Sequence, residues 1–247
     1  MTPKPKVLVL DIETSLMEAW VFNTRDQYIS HSQIKTDWHV MAWAAKWLGA
    51  PAKDVIYADQ RNVKNKTNDK IILTKLLKLL NQADYLLTQN GRKFDLPKLK
   101  ARFMLNGLQP PKFLKHIDMY RELKGIGFTS HSLDYLTAKL CKKYRKLSHK
   151  NFPGMSLWIE CIQDNPKAWA EMKTYNIYDV LSTEELFHNT KKWLPKVVYE
   201  LGHPVSVCST CGRATLGSNG IRLKNGITYR RLFCKHCGTW QRGEVGK

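Results

Sequence analysis

The chain reads as short apolar runs separated by segments with a helical period. Val7 to Leu10 are four consecutive apolar residues, which predicts a short strand covered on both faces. Residues 14–38 show little period and predict a long loop carrying Leu16, Trp20, Phe22, Tyr28 and Trp38. Val40 to Leu48 is mostly apolar and stops at Gly49, a second strand, and Val55-Ile56-Tyr57 is a short third. After a polar loop from Gln60 to Asn68, the apolar positions Ile72, Leu73, Leu76, Leu77 and Leu80 recur at helical spacing with lysines opposite. That predicts a helix over 69–81, capped by Asn68 or Asp69. Tyr85 to Thr88 reads as a fourth strand closed by the turn pair Asn90-Gly91. Asp95 to Asn106 reads as a second helix, with Pro97 in its first turn and Gly107 after its end.

Phe113 to Asp118 predicts a fifth strand, and Ser132 to Leu140 a helix that begins on a cap residue. Asn165-Pro166 opens a helix that runs through Tyr175 and Asp179 to about His188. Pro195, Gly202 and Pro204 then mark a boundary. Three strands, a helix, a strand, a helix, a strand and further helices predict an α/β domain with a mixed sheet over residues 1–204. A small module over residues 205–247 follows.

Charge changes this picture more than composition does. Hydrophobic residues at 43% and charged residues at 25% are ordinary for a globular protein. Forty lysines and arginines against 21 acids are not, and the formal +19 points to a polyanionic partner, most simply nucleic acid. The run from Lys139 to Lys150 is a candidate backbone track or a solvated loop. No stretch approaches the ~20 apolar residues of a membrane span, and the apolar run near Met1 is too short for a signal-peptide core. The expectation is a cytoplasmic protein (host cytoplasm if viral) with reduced thiols and no membrane partner.

The first strand ends in Asp11 and Glu13, whose spacing puts both carboxylates on one face of an extended chain. Two like charges at the end of a buried strand repel unless a cation lies between them, and a hard divalent ion takes carboxylate oxygens. Asp95 opens a helix just after a strand, and Tyr175 and Asp179 stand at i and i+4 on one helix face. Each of these three alone has an ordinary reading: a helix-dipole acid, a packing aromatic, a solvated helix residue.

Together the residues resemble a known family. Asp11-x-Glu13 on a first strand, Asn90-x-x-x-Phe94-Asp95 after a later one and Tyr175-x-x-x-Asp179 on a late helix match, in order, the motifs of the DEDD 3′–5′ exonuclease superfamily. Ser132-Leu133-Asp134-Tyr135-Leu136 is similar to the family too, and the third motif has the tyrosine form. The resemblance implies an RNase H-like fold and hydrolysis of phosphodiester bonds with two Mg²⁺ or Mn²⁺ ions. It implies that Asp11 bridges the metals, Glu13 and Asp179 hold the one on the water side, Asp95 supports the other, and Tyr175 orients the water. Thr14 and Leu16, with Asn90 and Phe94, are the substrate-binding residues it assigns, although residues 14–17 lack the glycine often found there.

The C-terminal module carries Cys208-Ser-Thr-Cys211-Gly212 and Cys234-Lys-His-Cys237-Gly238. The 22 residues between the two pairs largely alternate from Ile221 to Phe233 around Asn225-Gly226, a hairpin signal. Two knuckles joined by a hairpin look like a zinc ribbon with four thiolates on one Zn²⁺; the competing reading is a pair of disulfides. So small a module lacks a core of its own and needs metal to fold. Eight lysines and arginines against one acid from Cys208 onward suit a nucleic-acid backbone, with Arg222, Lys224, Arg230 and Arg231 as candidates.

The expectation is therefore a metal-dependent 3′–5′ exonuclease acting on DNA, single-stranded or frayed at its 3′ end, with any replication polymerase acting in trans. The combination resembles stand-alone exonucleases of bacteriophage replication. The rivals are a structure-specific endonuclease on the same fold and a non-catalytic nucleic-acid-binding scaffold.

Overall fold

The computed structural model describes residues 5–112, 115–194, 197, 201, 208, 210–211, 213, 215–224 and 227–243. The chain divides into two compact units, Lys6–Phe187 and a second made of His188–Lys247 with Met1–Pro5. In chain order the elements up to the end of the long helix are β1 (Val7–Thr14), β2 (Glu18–Ala19), β3 (Ile34–Thr36), β4 (Val40–Trp47), β5 (Ile56–Asp59), α1 (Lys70–Leu80), β6 (Tyr85–Thr88), α2 (Asp95–Leu105), β7 (Lys115–Asp118), α3 (Met119–Leu123), α4 (Leu133–Leu140), α5 (Ser156–Ile162) and α6 (Pro166–Thr190).

The first unit is built on a five-stranded mixed sheet in the order β5-β4-β1-β6-β7. β1 lies at its centre, antiparallel to β4 and parallel to β6, and β7 continues the parallel side. This position explains the unbroken apolar run of Val7–Leu10, which is buried throughout. Leu8, Leu10 and Ile12 join Trp43 of β4, Ile72, Leu73, Leu76 and Leu80 of α1, and Leu99 and Phe103 of α2 in one cluster. Side chains alternate along a strand, so Asp11 and Glu13 project to the opposite face. There Met41 and Ala42 of β4 pack with Leu157 and Cys161 of α5 and Ala168, Trp169 and Met172 of α6. Each fully buried aliphatic side chain contributes about 1.5–3 kcal/mol, enough in sum to hold a row of acids against α6.

Two buried ion pairs tie the layers together. Lys46 of β4, only 1% exposed at its side chain, donates to Glu184 of α6 at 2.8 Å. Asp69 does not cap α1 with its side chain; Asn68 Oδ1 accepts the Lys70 amide at 3.2 Å instead. The buried Asp69 carboxylate takes Arg102 Nε and Nη2 at 2.8 and 2.9 Å and the Val40 amide at 2.9 Å. A carboxylate with no exposure requires a guanidinium more than a local cap does.

The structure departs from the sequence reading mainly in short elements. Residues 14–38 hold the β2–β3 pair and a single 3-10 turn rather than plain loop. Helices α3 and α5, of five and seven residues, are too short for an apolar period to announce them. The fifth strand begins at Lys115, and Phe113 lies outside the described residues. Pro195, Gly202, Pro204 and the Asn225-Gly226 turn also lie outside them.

In the second unit, β8 (Leu216–Lys224), β9 (Ile227–Cys234) and β10 (Trp240–Gly243) form an antiparallel sheet in the order β10-β9-β8. β8 and β9 are the hairpin that the alternation suggested; β10 is additional. No described helix is long and apolar enough to cross a membrane.

Candidate active site and cysteine cluster

The acids gather where the parallel pairing of β1 stops. β6 pairs with β1 only as far as Val9, while β4 continues opposite Asp11 and Glu13. Beyond that point the Ile12 amide donates to Asp95 Oδ1 at 3.2 Å, so the first residue of α2 takes a donor at the end of β1. From the face of α6 come Asn176 and Asp179. Asn176 Nδ2 donates to Asp11 Oδ2 at 2.6 Å, and ligand oxygens of Asp11, Glu13 and Asp179 all lie within 4.8 Å of one another. Asp95, 2% exposed, stands beside this triple rather than in it.

Such an arrangement is electrostatically unstable without positive charge. Burial, with repulsion from Asp179, lifts Asp11 well above the usual carboxylate range and Glu13 to about 8. Burial also raises Asp179 and pushes Asp95 up to about 7. One Asp179 oxygen, Oδ1, is buried with no hydrogen-bond partner among the described residues. Three converging carboxylates with an orphaned oxygen among them are a donor set suited to a hard divalent cation.

One cation is supplied by the chain. Lys146 Nζ meets Asp179 Oδ2 at 2.7 Å and lies 4.5 Å from the centroid of the Tyr175 ring. Burial would pull this ammonium down, but Asp179 holds it charged. The stretch that delivers Lys146 is anchored on α6, where Glu185 accepts the backbone amides of Lys142, Lys143 and Tyr144 at 2.8, 3.1 and 2.6 Å. Within the basic run from Lys139, then, one lysine turns inward to the acids.

Tyr175 is 8% exposed. Its ring makes edge contacts with His149 at 5.5 Å and Trp158 at 6.1 Å, and Trp158 Nε1 donates to Glu13 Oε2 at 3.2 Å. Burial and the Asp179 charge raise its phenol, which therefore keeps its proton at neutral pH. Lys146, His149, Trp158 and Asn176 escaped the sequence reading. Only Asn176 had a signal, since it sits inside the Tyr175–Asp179 motif.

The four assigned substrate positions lie at strand and helix ends. Thr14 closes β1 after a register shift, and Leu16 is half-buried just past Ser15, whose amide donates to the His39 carbonyl at 2.9 Å. Asn90 has φ +62°, a conformation that asparagine tolerates better than most residues. Its amide donates to Asp118 Oδ1 at 2.8 Å, and its carbonyl accepts the Phe94 amide at 3.2 Å. Phe94 precedes α2 and is 38% exposed.

In the second unit the sulfurs of Cys208, Cys211, Cys234 and Cys237 lie within 4.8 Å of one another. The separations are 3.5 Å for Cys208–Cys237 and 3.6 Å for Cys211–Cys234. All four are free thiols, and these spacings suit a tetrahedron with arms of about 2.3 Å rather than S–S bonds of about 2.05 Å. Gly238, at φ +72°, lets the second knuckle turn back so that its amide reaches the Cys234 carbonyl at 2.9 Å. Gly212 lies outside the described residues.

No curated protein sequence matches this chain. Among solved structures, the family B DNA polymerase from the hyperthermophilic archaeon Pyrobaculum calidifontis is similar, with a TM-score of 0.57 at 16% identity. The similarity covers 81% of this chain and 26% of the polymerase, so the chain spans about a quarter of that protein's length. The model of the RNase H superfamily matches residues 48–190, more than half of the sequence, and takes in Asp95, Tyr175 and Asp179. On that match the chain belongs to the RNase H superfamily.

Proposed function

We propose that this protein is a metal-dependent nuclease that removes nucleotides from the 3′ end of DNA. The observation that carries the reading is the convergence of Asp11, Glu13 and Asp179 within 4.8 Å, with Asp95 buried behind the Ile12 amide. Asp11, Glu13 and Asp179 would hold divalent ions, Mg²⁺ or Mn²⁺, with Asp95 supporting the second. Bound there, two such ions supply an activated water and charge stabilisation for the phosphoryl and leaving oxygens.

The remaining work falls to the chain. Asn176 fixes one Asp11 oxygen, and Trp158 fixes one Glu13 oxygen, so both carboxylates present their other oxygens in a set direction. Tyr175 keeps its hydroxyl proton and acts by orientation, as a hydrogen-bond partner of the attacking water, rather than as the base. Lys146 offsets the charge of Asp179. Thr14, Leu16, Asn90 and Phe94 are assigned to the terminal nucleotides, with the half-exposed Phe94 ring suited to a base face. The likeness to a DNA polymerase favours DNA over RNA and a replication setting. The Cys208, Cys211, Cys234 and Cys237 thiolates are assigned to one structural Zn²⁺.

The test is a time course on 5′-labelled DNA and RNA oligonucleotides with Mg²⁺ or Mn²⁺. A ladder shortening one nucleotide at a time from the 3′ end of DNA is expected. Continued cutting of a strand blocked at its 3′ end would make the protein an endonuclease. No cleavage with either metal would leave the scaffold reading.

A further inference from the structure

The three-stranded sheet of the second unit sorts its side chains by register. Tyr229, Arg231 and Phe233 alternate along β9 on one face. Directly opposite partners share a face, which adds Arg222 across from Tyr229, Arg242 across from Arg231 and Trp240 across from Phe233. This face therefore interleaves three arginines with three aromatic rings. The other face carries Ile221, Thr228, Arg230, Leu232 and Gln241, and Arg230 is occupied there by Ser218 Oγ at 3.3 Å.

Two of the three arginines already lie over rings. The Arg231 guanidinium lies 4.0 Å from the Trp240 ring centroid and that of Arg242 4.5 Å from Tyr229. Phe233 supports Trp240 at 5.0 Å between centroids. Trp240 is 44% exposed, and Arg222 and Arg242 are exposed. No acid lies among these six residues.

We propose that this face binds single-stranded nucleic acid, with bases stacking on the Tyr229–Arg242 and Trp240–Arg231 pairs and phosphates meeting the arginines. The pattern selects this partner chemically. Rings and guanidinium planes both accept a base face, whereas the bases of a duplex are already stacked on each other. Positive charge without acids complements a phosphate chain and not an apolar protein surface. The grouping also differs from a backbone clamp made of every basic residue on the hairpin, since Arg230 points away from it. The inference concerns binding alone and does not depend on hydrolysis by the first unit.

The test uses the full chain carrying Asp11→Ala, so that strands stay intact, with zinc retained and no chelator. Fluorescence anisotropy reads affinity for a labelled oligothymidylate and for an abasic strand of equal length. Tyr229→Ala with Trp240→Ala should weaken oligothymidylate binding about a hundredfold, roughly tenfold per ring. The abasic strand should lose less than about threefold. Arg230→Ala should change both strands by about threefold or less. Zinc content checks folding. If the alanine pair loses zinc, Tyr229→Leu with Trp240→Leu keeps apolar packing and should show the same selective loss. Unchanged oligothymidylate affinity in a zinc-loaded variant overturns the proposal. So does an equal loss on both strands, which would indicate a phosphate clamp, or competition by polyglutamate as strong as by oligothymidylate, which would indicate an acidic protein.

Discussion

The carboxylate cluster and the cysteine cluster face opposite problems. The first unit buries Leu8, Leu10, Ile12, Trp43 and the apolar faces of α1 and α2 around β1, so it folds on its own core and tolerates a row of repelling acids. The second unit places four thiols within 4.8 Å beside a three-stranded sheet in which, among the described residues, only Cys234 and Gly243 are buried. On the assignments proposed above, a metal at the first would serve chemistry at a repulsive site, and a metal at the second would serve folding. A buried charge cluster is a mark of function when a core can carry its cost, and a mark of structure when there is little core to carry it.

The sharpest way to break that comparison is to remove one ligand from each cluster. Cys234→Ser should abolish zinc binding and, with it, up to about 10 kcal/mol of metal-linked folding energy in the second unit. Hydrogen exchange should then show β8–β10 unprotected and β1, β4 and β6 unchanged. Loss of protection in β1 as well would merge the two units into one cooperative fold.

Asp11→Ala should do the reverse. It should lower kcat/KM by about a thousandfold or more, because it deletes a carboxylate assigned to hold the divalent ions. Thermal unfolding in chelator should leave the first unit no less stable, since Asp11 is repelled by Asp179 and Glu13. Robust hydrolysis by this variant would remove the two-metal assignment.

A pH series sharpens the same point. Glu13 and Asp95 are raised to about 8 and about 7, with Asp11 and Asp179 raised as well, so between about pH 4 and 8 the folded, metal-free protein binds more protons than the unfolded chain. Stability must therefore fall as pH rises across that window. We expect stability to fall between about pH 5 and 8 without divalent metal, and to fall less with Mg²⁺ or in Asp11→Asn. Denaturant unfolding that is flat or rising over this range would contradict the repulsion.

The smallest effect concerns Tyr175. Tyr175→Phe keeps the edge contacts to His149 and Trp158 and deletes only the hydroxyl. It should lower kcat about a hundredfold with little change in DNA affinity. An unchanged kcat under conditions where chemistry limits the rate would return Tyr175 to a packing role.

Local pattern determined a good deal of this protein. The apolar run of β1, the helical period of α1, Pro166 at the start of α6 and the alternation of β8 and β9 all follow from the periods of strand and helix, which need no distant partner. The spacing of Asp11 and Glu13, and of Tyr175 and Asp179, fixed shared faces for the same reason. Tertiary structure decided what those faces meet. Lys146 sits in a run that reads as a backbone track or a solvated loop, and the anchoring of its loop on Glu185 accompanies its turn to Asp179. Asp69 reads, with Asn68, as one of two possible caps and is instead the buried partner of Arg102, 33 residues away. Trp158 lies on a helix too short to leave a period, yet it holds Glu13. In the second unit, charge alone grouped Arg230 with its neighbours, and strand register separated it from them. Charge, hydrogen bonding and stacking act through space, so their partners are set by the packing of elements and not by distance along the chain.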